Sequence, residues 1–182
     1  MSRIVAGSAG GQRIQVPATG VRPTSDRVRE ALFSLLTARG AIEDAVVLDL
    51  YAGSGALGLE ALSRGALTAT LVERDPRACA VIQTNVRTTG LGGALVRRAS
   101  VPTFLKRPTD TVDLVFVDPP YAGTEDEVDT VLGLLVPWLR SEALVVVERD
   151  SRTRALVWPD GLEPEEPRVY GETTLHLGTP TG

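Results

Sequence analysis

Histidine, cysteine and lysine each occur once in this chain, and aromatic residues make up only 4% of it. The single cysteine, Cys79, excludes an internal disulfide, and with His176 as the sole histidine a zinc site lacks ligands, so no metal is expected. No apolar run is longer than a handful of residues, which excludes a membrane-spanning helix. The opening stretch MSRIVAGSAGGQRIQV has no continuous apolar segment of the kind a signal peptide carries, which points to the cytoplasm. The scarcity of lysine says little by itself. Arginine suits phosphates and guanine edges, but genomic composition favours it equally. What remains is 182 residues with 43% apolar and 23% charged side chains. That is enough for one substantial core and too little for two ordinary domains.

The net charge of −4 is unevenly spread. Residues 1–40 hold six arginines, Arg3, Arg13, Arg22, Arg27, Arg29 and Arg39, against Asp26 and Glu30, for +4. The other 142 residues carry 13 basic and 21 acidic side chains, or −8. A basic N-terminal stretch on an acidic body suggests contact with a polyanion. Within residues 1–20, four glycines and the pieces Ile4-Val5 and Ile14-Gln15-Val16 predict a small two-stranded hairpin that adds little to the core. Pro23-Thr24-Ser25 then opens an amphipathic helix with Val28, Ala31, Leu32, Leu35 and Leu36 on one face and Gly40 at its C-terminal cap.

From Ala45 onward, apolar runs of strand length recur at 45–50, 68–72, 112–117 and 143–147, with a weaker one near 94–96. Helical patterns lie between them at about 56–64, 76–88 and 125–139. Apolar strands without alternation, separated by helices, predict a mostly parallel sheet covered on both faces. The tail at 154–177, with ALVW and then RVYGETTLHL, reads as antiparallel strands that close it.

The first strand ends in Asp49-Leu50-Tyr51-Ala52-Gly53-Ser54-Gly55-Ala56-Leu57-Gly58, a glycine turn between strand and helix. The next strand ends in Glu73, twenty residues past Gly53, where a carboxylate can accept hydrogen bonds from both ribose hydroxyls of an adenosine. Asp49 separates the two cofactors that such a turn admits. It would repel a dinucleotide pyrophosphate, whereas the ammonium and sulfonium of S-adenosylmethionine favour an acid. On its own, Asp49 could equally anchor the helix that follows. The strand at 112–117 runs into Asp118-Pro119-Pro120-Tyr121, and two prolines cannot continue a central strand. The Asp118 carboxylate and the Pro119 carbonyl form a pair of acceptors for the two hydrogens of an exocyclic amino group. Asp118 can take the proton during or after transfer, and Tyr121 offers a flat face for an unstacked base. Cys79, Trp138 and Trp158 read as packing residues, His176 as structural or exposed, and Arg97 and Arg98 as either solvated or in contact with RNA.

The runs RPTSDRVREALFSLL (22–36), LDLYAGSGALGLEALSRGA (48–66), VERD (72–75), FVDPPY (116–121) and YGETTL (170–175) together resemble the bacterial 16S ribosomal RNA guanine-N2 methyltransferase family. The resemblance spans essentially the whole chain, and the first run is its most specific part. It implies a Rossmann-like class I methyltransferase: a mostly parallel seven-stranded α/β sheet over residues 21–182, with residues 1–20 as an RNA-docking hairpin. It implies S-adenosylmethionine as the cofactor. The implied cofactor set is Asp49, Ala52, Gly53, Ser54, Gly55, Glu73, Arg74, Ser100, Val101 and Asp118. Ser100 stands where many methyltransferases carry an acid for the adenine. Asp118, Pro119 and Tyr121 would handle the base, and Arg3, Arg13, Arg22, Arg27 and Tyr121 would meet RNA. Arg22, Thr24, Asp26 and Arg27 occupy the segment that borders the cofactor's carboxylate end in amino methyltransferases. The implied target is guanine 966 of 16S rRNA in the small subunit or its assembly intermediate, and the chain is expected to act as a monomer. The Asp118 motif alone equally fits an adenine-N6 methyltransferase on RNA or DNA. An NAD-dependent oxidoreductase and a non-catalytic RNA-binding assembly factor are the readings of other classes.

Overall fold

A buried parallel strand needs apolar side chains on both of its faces, and Val46–Leu50 supplies them at the centre of the sheet. The computed structural model of the protein describes residues 2–18, 25–120 and 125–182. Chain order runs β1 (Ser2–Arg3), β2 (Arg13–Ile14), α1 (Asp26–Ala38), β3 (Val46–Leu50), α2 (Ala56–Ser63), β4 (Thr68–Glu73) and α3 (Pro76–Thr89). It continues with β5 (Ala94–Arg98), α4 (Val101–Leu105), β6 (Val112–Val117), α5 (Glu125–Leu135), a 3-10 turn (Val136–Trp138), β7 (Leu139–Asp150), β8 (Leu162–Pro164), β9 (Arg168–Tyr170) and β10 (Thr173–Pro180).

The main sheet is ordered β5-β4-β3-β6-β7-β10-β8, parallel from β5 to β7 and antiparallel beyond. The α/β fold is as the sequence implies, with one refinement in strand count. Eight strands occupy seven positions, because β8 and β9 share the outer edge of β10. Alternate residues along the central strands face opposite layers. Val47, Leu114, Phe116, Leu144 and Val146 join the cluster of α1 and α2, while Leu48, Leu50, Val115, Val117, Val145 and Val147 join that of α4 and α5.

Helix ends follow local chemistry. The Ser25 hydroxyl accepts from the Val28 N–H at 3.2 Å and caps α1. At the other end Gly40, at φ 65°, donates to the Thr37 carbonyl while Ala41 donates to Leu36, a Schellman closure. Asp75 caps α3 with Pro76 in its first turn.

Three expectations are corrected, and one short helix is added. The hairpin, seen as Ser2–Arg3 against Arg13–Ile14, contributes to the core: Ile4, Ala9 and Ile14 are buried in the main cluster. The ALVW segment is not a strand, because the Val157 N–H donates to Asp129 of α5 and Arg154 pairs with the same carboxylate. The helical pattern at 125–139 stops at Leu135, where Pro137 enforces a 3-10 turn, and β7 starts early at Leu139. The short helix α4, capped by Ser100, has too few residues to show a period.

Candidate active site

The sheet's strand order reverses between β3 and β6, and open α/β sheets bind ligands at the carboxyl edge of such a reversal. Beyond Leu50 the chain turns through Tyr51 at φ 62°, a left-handed conformation that costs an L-residue about 1–2 kcal/mol. Gly53 at φ 58° and Gly55 at φ 78° complete it at lower steric cost. The Ala52 N–H donates to the Val72 carbonyl at 3.0 Å, tying the turn to β4. Gly58 serves a different purpose from the first two glycines. A Cβ there would sit 3.0 Å from Leu71 Cδ2 and 3.1 Å from Asp49 Oδ2, so its bareness lets α2 lie against β3 and β4.

Glu73 leaves β4 beside this turn. Its Oε2 accepts from the Gly53 N–H at 3.0 Å and its Oε1 from the Asp75 N–H at 2.9 Å. Asp118 leaves β6 on the other side of β3, its N–H 3.5 Å from the Leu50 carbonyl. Pro119 is half-buried beside it and Pro120 is exposed. The Tyr51 hydroxyl donates to Glu127 at 2.9 Å, and burial with that carboxylate pushes the phenol upward while nearby Arg74 opposes the shift. The Ala99 N–H donates to the Glu73 carbonyl at 3.0 Å, which brings Ser100 and the buried Val101 to the same edge. The Ser100 side chain accepts from the Thr103 N–H and so caps α4. The structure therefore brings Ala52, Gly53, Ser54, Gly55, Glu73, Arg74, Ser100, Val101 and Asp118 to one edge of the sheet, where the neighbouring parallel strands β5, β4, β3 and β6 end. Tyr121, Arg22 and Thr24 lie outside the described residues.

Asp49 is 1% exposed and sits behind the turn, with Oδ2 accepting from the Gly58 N–H at 2.9 Å. It is the anchor of α2. Burial raises its carboxyl from the ordinary 3.8 to about 7, against the pull of the Gly58 hydrogen bond, and the Glu73 charge adds to the rise. A raised carboxyl binds its proton more tightly in the folded state than in the unfolded one. Its contribution to stability is thus present at low pH and lost as pH climbs from about 4 to about 7. The variant Asp49→Asn keeps an acceptor for Gly58 but has no proton to lose. Its melting temperature relative to wild type is expected to rise between about pH 4 and about pH 7 and to level off above that. An offset that stays constant over that range would refute the assignment.

Three buried polar residues of the fold escape the sequence reading. Asn85 of α3 is 1% exposed; its Oδ1 accepts from the Gln15 N–H at 2.8 Å, and its Nδ2 donates to the Gln15 and Ser54 carbonyls, both at 2.9 Å. One side-chain amide thus joins the hairpin to the glycine turn. Glu60 of α2 is fully buried and accepts from the Val5 and Ala6 N–H groups at 2.7 and 3.0 Å and from Arg64 at 2.7 Å. Arg29, also buried, donates to the Arg3 carbonyl and to Asp26, with Nε 4.0 Å from Glu60. The available signal was a polar residue on an apolar stripe: Ala78, Ile82, Asn85 and Thr89 follow helical spacing. The basic N-terminal stretch divides accordingly. Arg29 is internal and Arg39 binds Glu165 at 2.6 and 2.7 Å, whereas Arg3, Arg13 and Arg27 are exposed, with Arg3 also touching Asp26.

Cys79 and Trp138 pack as expected. Cys79 is buried under the end of β4, and Trp138 stacks on Phe104 at 5.0 Å while its indole N–H donates to the Leu105 carbonyl. His176 is half-buried in β10. No helix among the described residues is long and apolar enough to cross a membrane.

Among solved structures, the precorrin-6y C5,15-methyltransferase of Geobacter metallireducens superposes with a TM-score of 0.64 at 15% identity, over 91% of this chain and 93% of that one. At that identity the likeness is one of fold alone. The fold is that of the Rossmann-like, class I methyltransferases. The structure of a hypothetical protein of Thermus thermophilus is nearer, with a TM-score of 0.83 and 38% identity over 97% of this chain and 98% of that chain. The ribosomal RNA small subunit methyltransferase D of Escherichia coli K12 is 39% identical over 179 residues, 96% of this chain and 88% of that protein. The family model described as conserved hypothetical protein 95 matches residues 2–179, and the chain belongs to that family.

Proposed function

We propose that this protein transfers a methyl group from S-adenosylmethionine to the exocyclic N2 amino group of guanine 966 in 16S rRNA, within the small ribosomal subunit or its assembly intermediate. The observation that carries this reading is the placement of Asp118-Pro119 beside the glycine turn, on the strand next to β3. The names of the relatives support ribosomal RNA as the substrate. The choice of guanine N2 rests on the resemblance of the five sequence runs.

The crevice fits the cofactor. Two carboxylates, Asp49 and Glu73, lie close enough for the charge of one to raise the other. That potential suits a cationic donor and opposes a pyrophosphate. Glu73 would hold the ribose, Ala52, Gly53, Ser54 and Gly55 the methionine portion, and Ser100 and Val101 the adenine. Arg74 would lie at the rim. S-adenosylmethionine, when bound, supplies an electrophilic methyl on a sulfonium. The chain's own contribution is to the nucleophile. An aryl amine is conjugated into its ring and attacks poorly. The Asp118 carboxylate and the Pro119 carbonyl would accept its two N–H bonds and stabilise the charge that develops on nitrogen. As the new N–C bond forms, Asp118 would take the displaced proton. Residues 1–20 would act as the RNA-docking element of a domain formed by 21–182, through Arg3 and Arg13. The protein would work as a cytoplasmic monomer.

The test is incubation of unmodified small subunits with labelled S-adenosylmethionine, followed by digestion to nucleosides. N2-methylguanosine from a single site is the expected product. N6-methyladenosine, or no incorporation into small subunits and free 16S RNA alike, would overturn the reading.

A further inference from the structure

Residues 76–109, which form α3, β5 and α4, contain six basic residues and no acidic one. At the chain's average of 23 acids in 182 residues, about four would fall in such a stretch. This region, and not the N-terminal forty residues, is the most basic part of the molecule. All six bases, Arg77, Arg87, Arg97, Arg98, Lys106 and Arg107, are exposed. None of them forms an ion pair among the described residues. By contrast, Arg39, Arg64, Arg140, Arg152 and Arg154 each hold a carboxylate. The two acids just before the stretch are turned to backbone donors. Glu73 accepts from the Gly53 and Asp75 N–H groups, and Asp75 accepts from the Arg77 N–H.

The placement of these bases points to a ligand. Arg97 and Arg98 are in register with Val72 and Glu73, so they end β5 at the carboxyl edge where the crevice opens. Arg77 lies in the first turn of α3 at the same edge. The helix also adjoins the hairpin, because Asn85 holds Gln15, two residues from the exposed Arg13. A run of unneutralised guanidinium groups beside a crevice, on a protein of net charge −4, is the arrangement that a phosphate backbone recognises.

We infer that the surface of α3, β5 and α4 is a second RNA-binding face, whose arginines grip phosphates flanking the target base and work together with the hairpin. This rests on the methyltransferase reading above. Edge strands also carry charge to prevent pairing with other sheets, and β5 is an edge strand with Leu95 exposed, so the experiment includes a readout for that role.

The full-length triple variant Arg77→Gln, Arg97→Gln, Arg98→Gln is compared with wild type on small subunits and on free 16S RNA. The measurements are KM and kcat for methyl transfer, RNA affinity against salt, S-adenosylmethionine affinity, melting temperature and light scattering. KM for RNA is expected to rise about tenfold or more, and the slope of log affinity against log salt to become shallower by about 2–3. The kcat, cofactor affinity and melting temperature should stay unchanged. Wild-type salt slope and KM in a folded variant would overturn the inference while leaving the enzymatic reading intact, as would self-association as the only change. If the variant is poorly folded, single Arg97→Gln and Arg98→Gln variants carry the same test, each with a slope change of about 1. Absence of methyl transfer by the wild type itself would instead count against the enzymatic reading.

Discussion

Replacing Asp118 with asparagine is expected to slow methyl transfer about 10²–10³-fold, the usual loss when one preorganised group facing developing charge is removed. Asparagine has nearly the same shape, so β6 and the two prolines should keep their course. What changes is the chemistry. A carboxylate accepts at both oxygens and can take a proton, whereas the amide carries two hydrogens and meets an incoming amine with donors. Affinity for S-adenosylmethionine should remain within a few-fold of wild type, because the turn at Gly53 and Gly55 and the carboxylate of Glu73 belong to other strands. Single-turnover transfer to small subunits, alongside calorimetry with the cofactor, separates the two effects. Near-normal turnover by Asp118→Asn would remove this residue from the chemistry.

The second large effect concerns stability. Glu60→Ala is expected to destabilise the protein by roughly 3–5 kcal/mol, as removal of one partner from a buried charge network generally does. For a chain of this size that corresponds to a drop of about 6–20 °C in melting temperature. The carboxylate satisfies the N–H groups of Val5 and Ala6, pairs with Arg64 and stands 4.0 Å from Arg29. Its loss strands two backbone donors and leaves Arg29 with only the Asp26 carboxylate. Replacing Arg29 and Glu60 together, Arg29→Met with Glu60→Leu, removes one buried cation but leaves Arg64 and the two amides without their acceptor. That double variant should recover only part of the loss. A melting temperature within 2 °C of wild type for Glu60→Ala would show that water takes over these contacts.

Most of the architecture was legible because the elements carry their own signals. Buried parallel strands are unbroken apolar runs, and Val112–Val117 and Thr68–Glu73 match the expected spans to within one residue. Helices α1 and α3 announce themselves by caps at Ser25, Gly40 and Asp75. The crevice was legible for the same reason, since a glycine turn and a pair of prolines stand at strand ends whatever lies around them. The buried polar residues were not. Glu60 meets Val5 across 55 positions, and Asn85 meets Gln15 across 70. No local pattern encodes a partner that far away. The ALVW segment misled because apolar spacing records burial and not hydrogen bonding. Leu156 and Trp158 do pack on the core, yet the stretch joins no ladder.

One feature of the packing bears on how the molecule is made. Ile4 and Ile14 belong to the same apolar cluster as Leu175 and Leu177 of β10. A nascent polypeptide cannot complete that cluster until β10 has cleared the exit tunnel. Until then Phe33, Leu36 and Leu59 have their early neighbours but not the last layer of the sheet. Closure over such sequence distances is slow, because loop entropy is lost before distant contacts form. The packing of this cluster is therefore completed only once the last strand is available, and growth from the first strand onward cannot finish it.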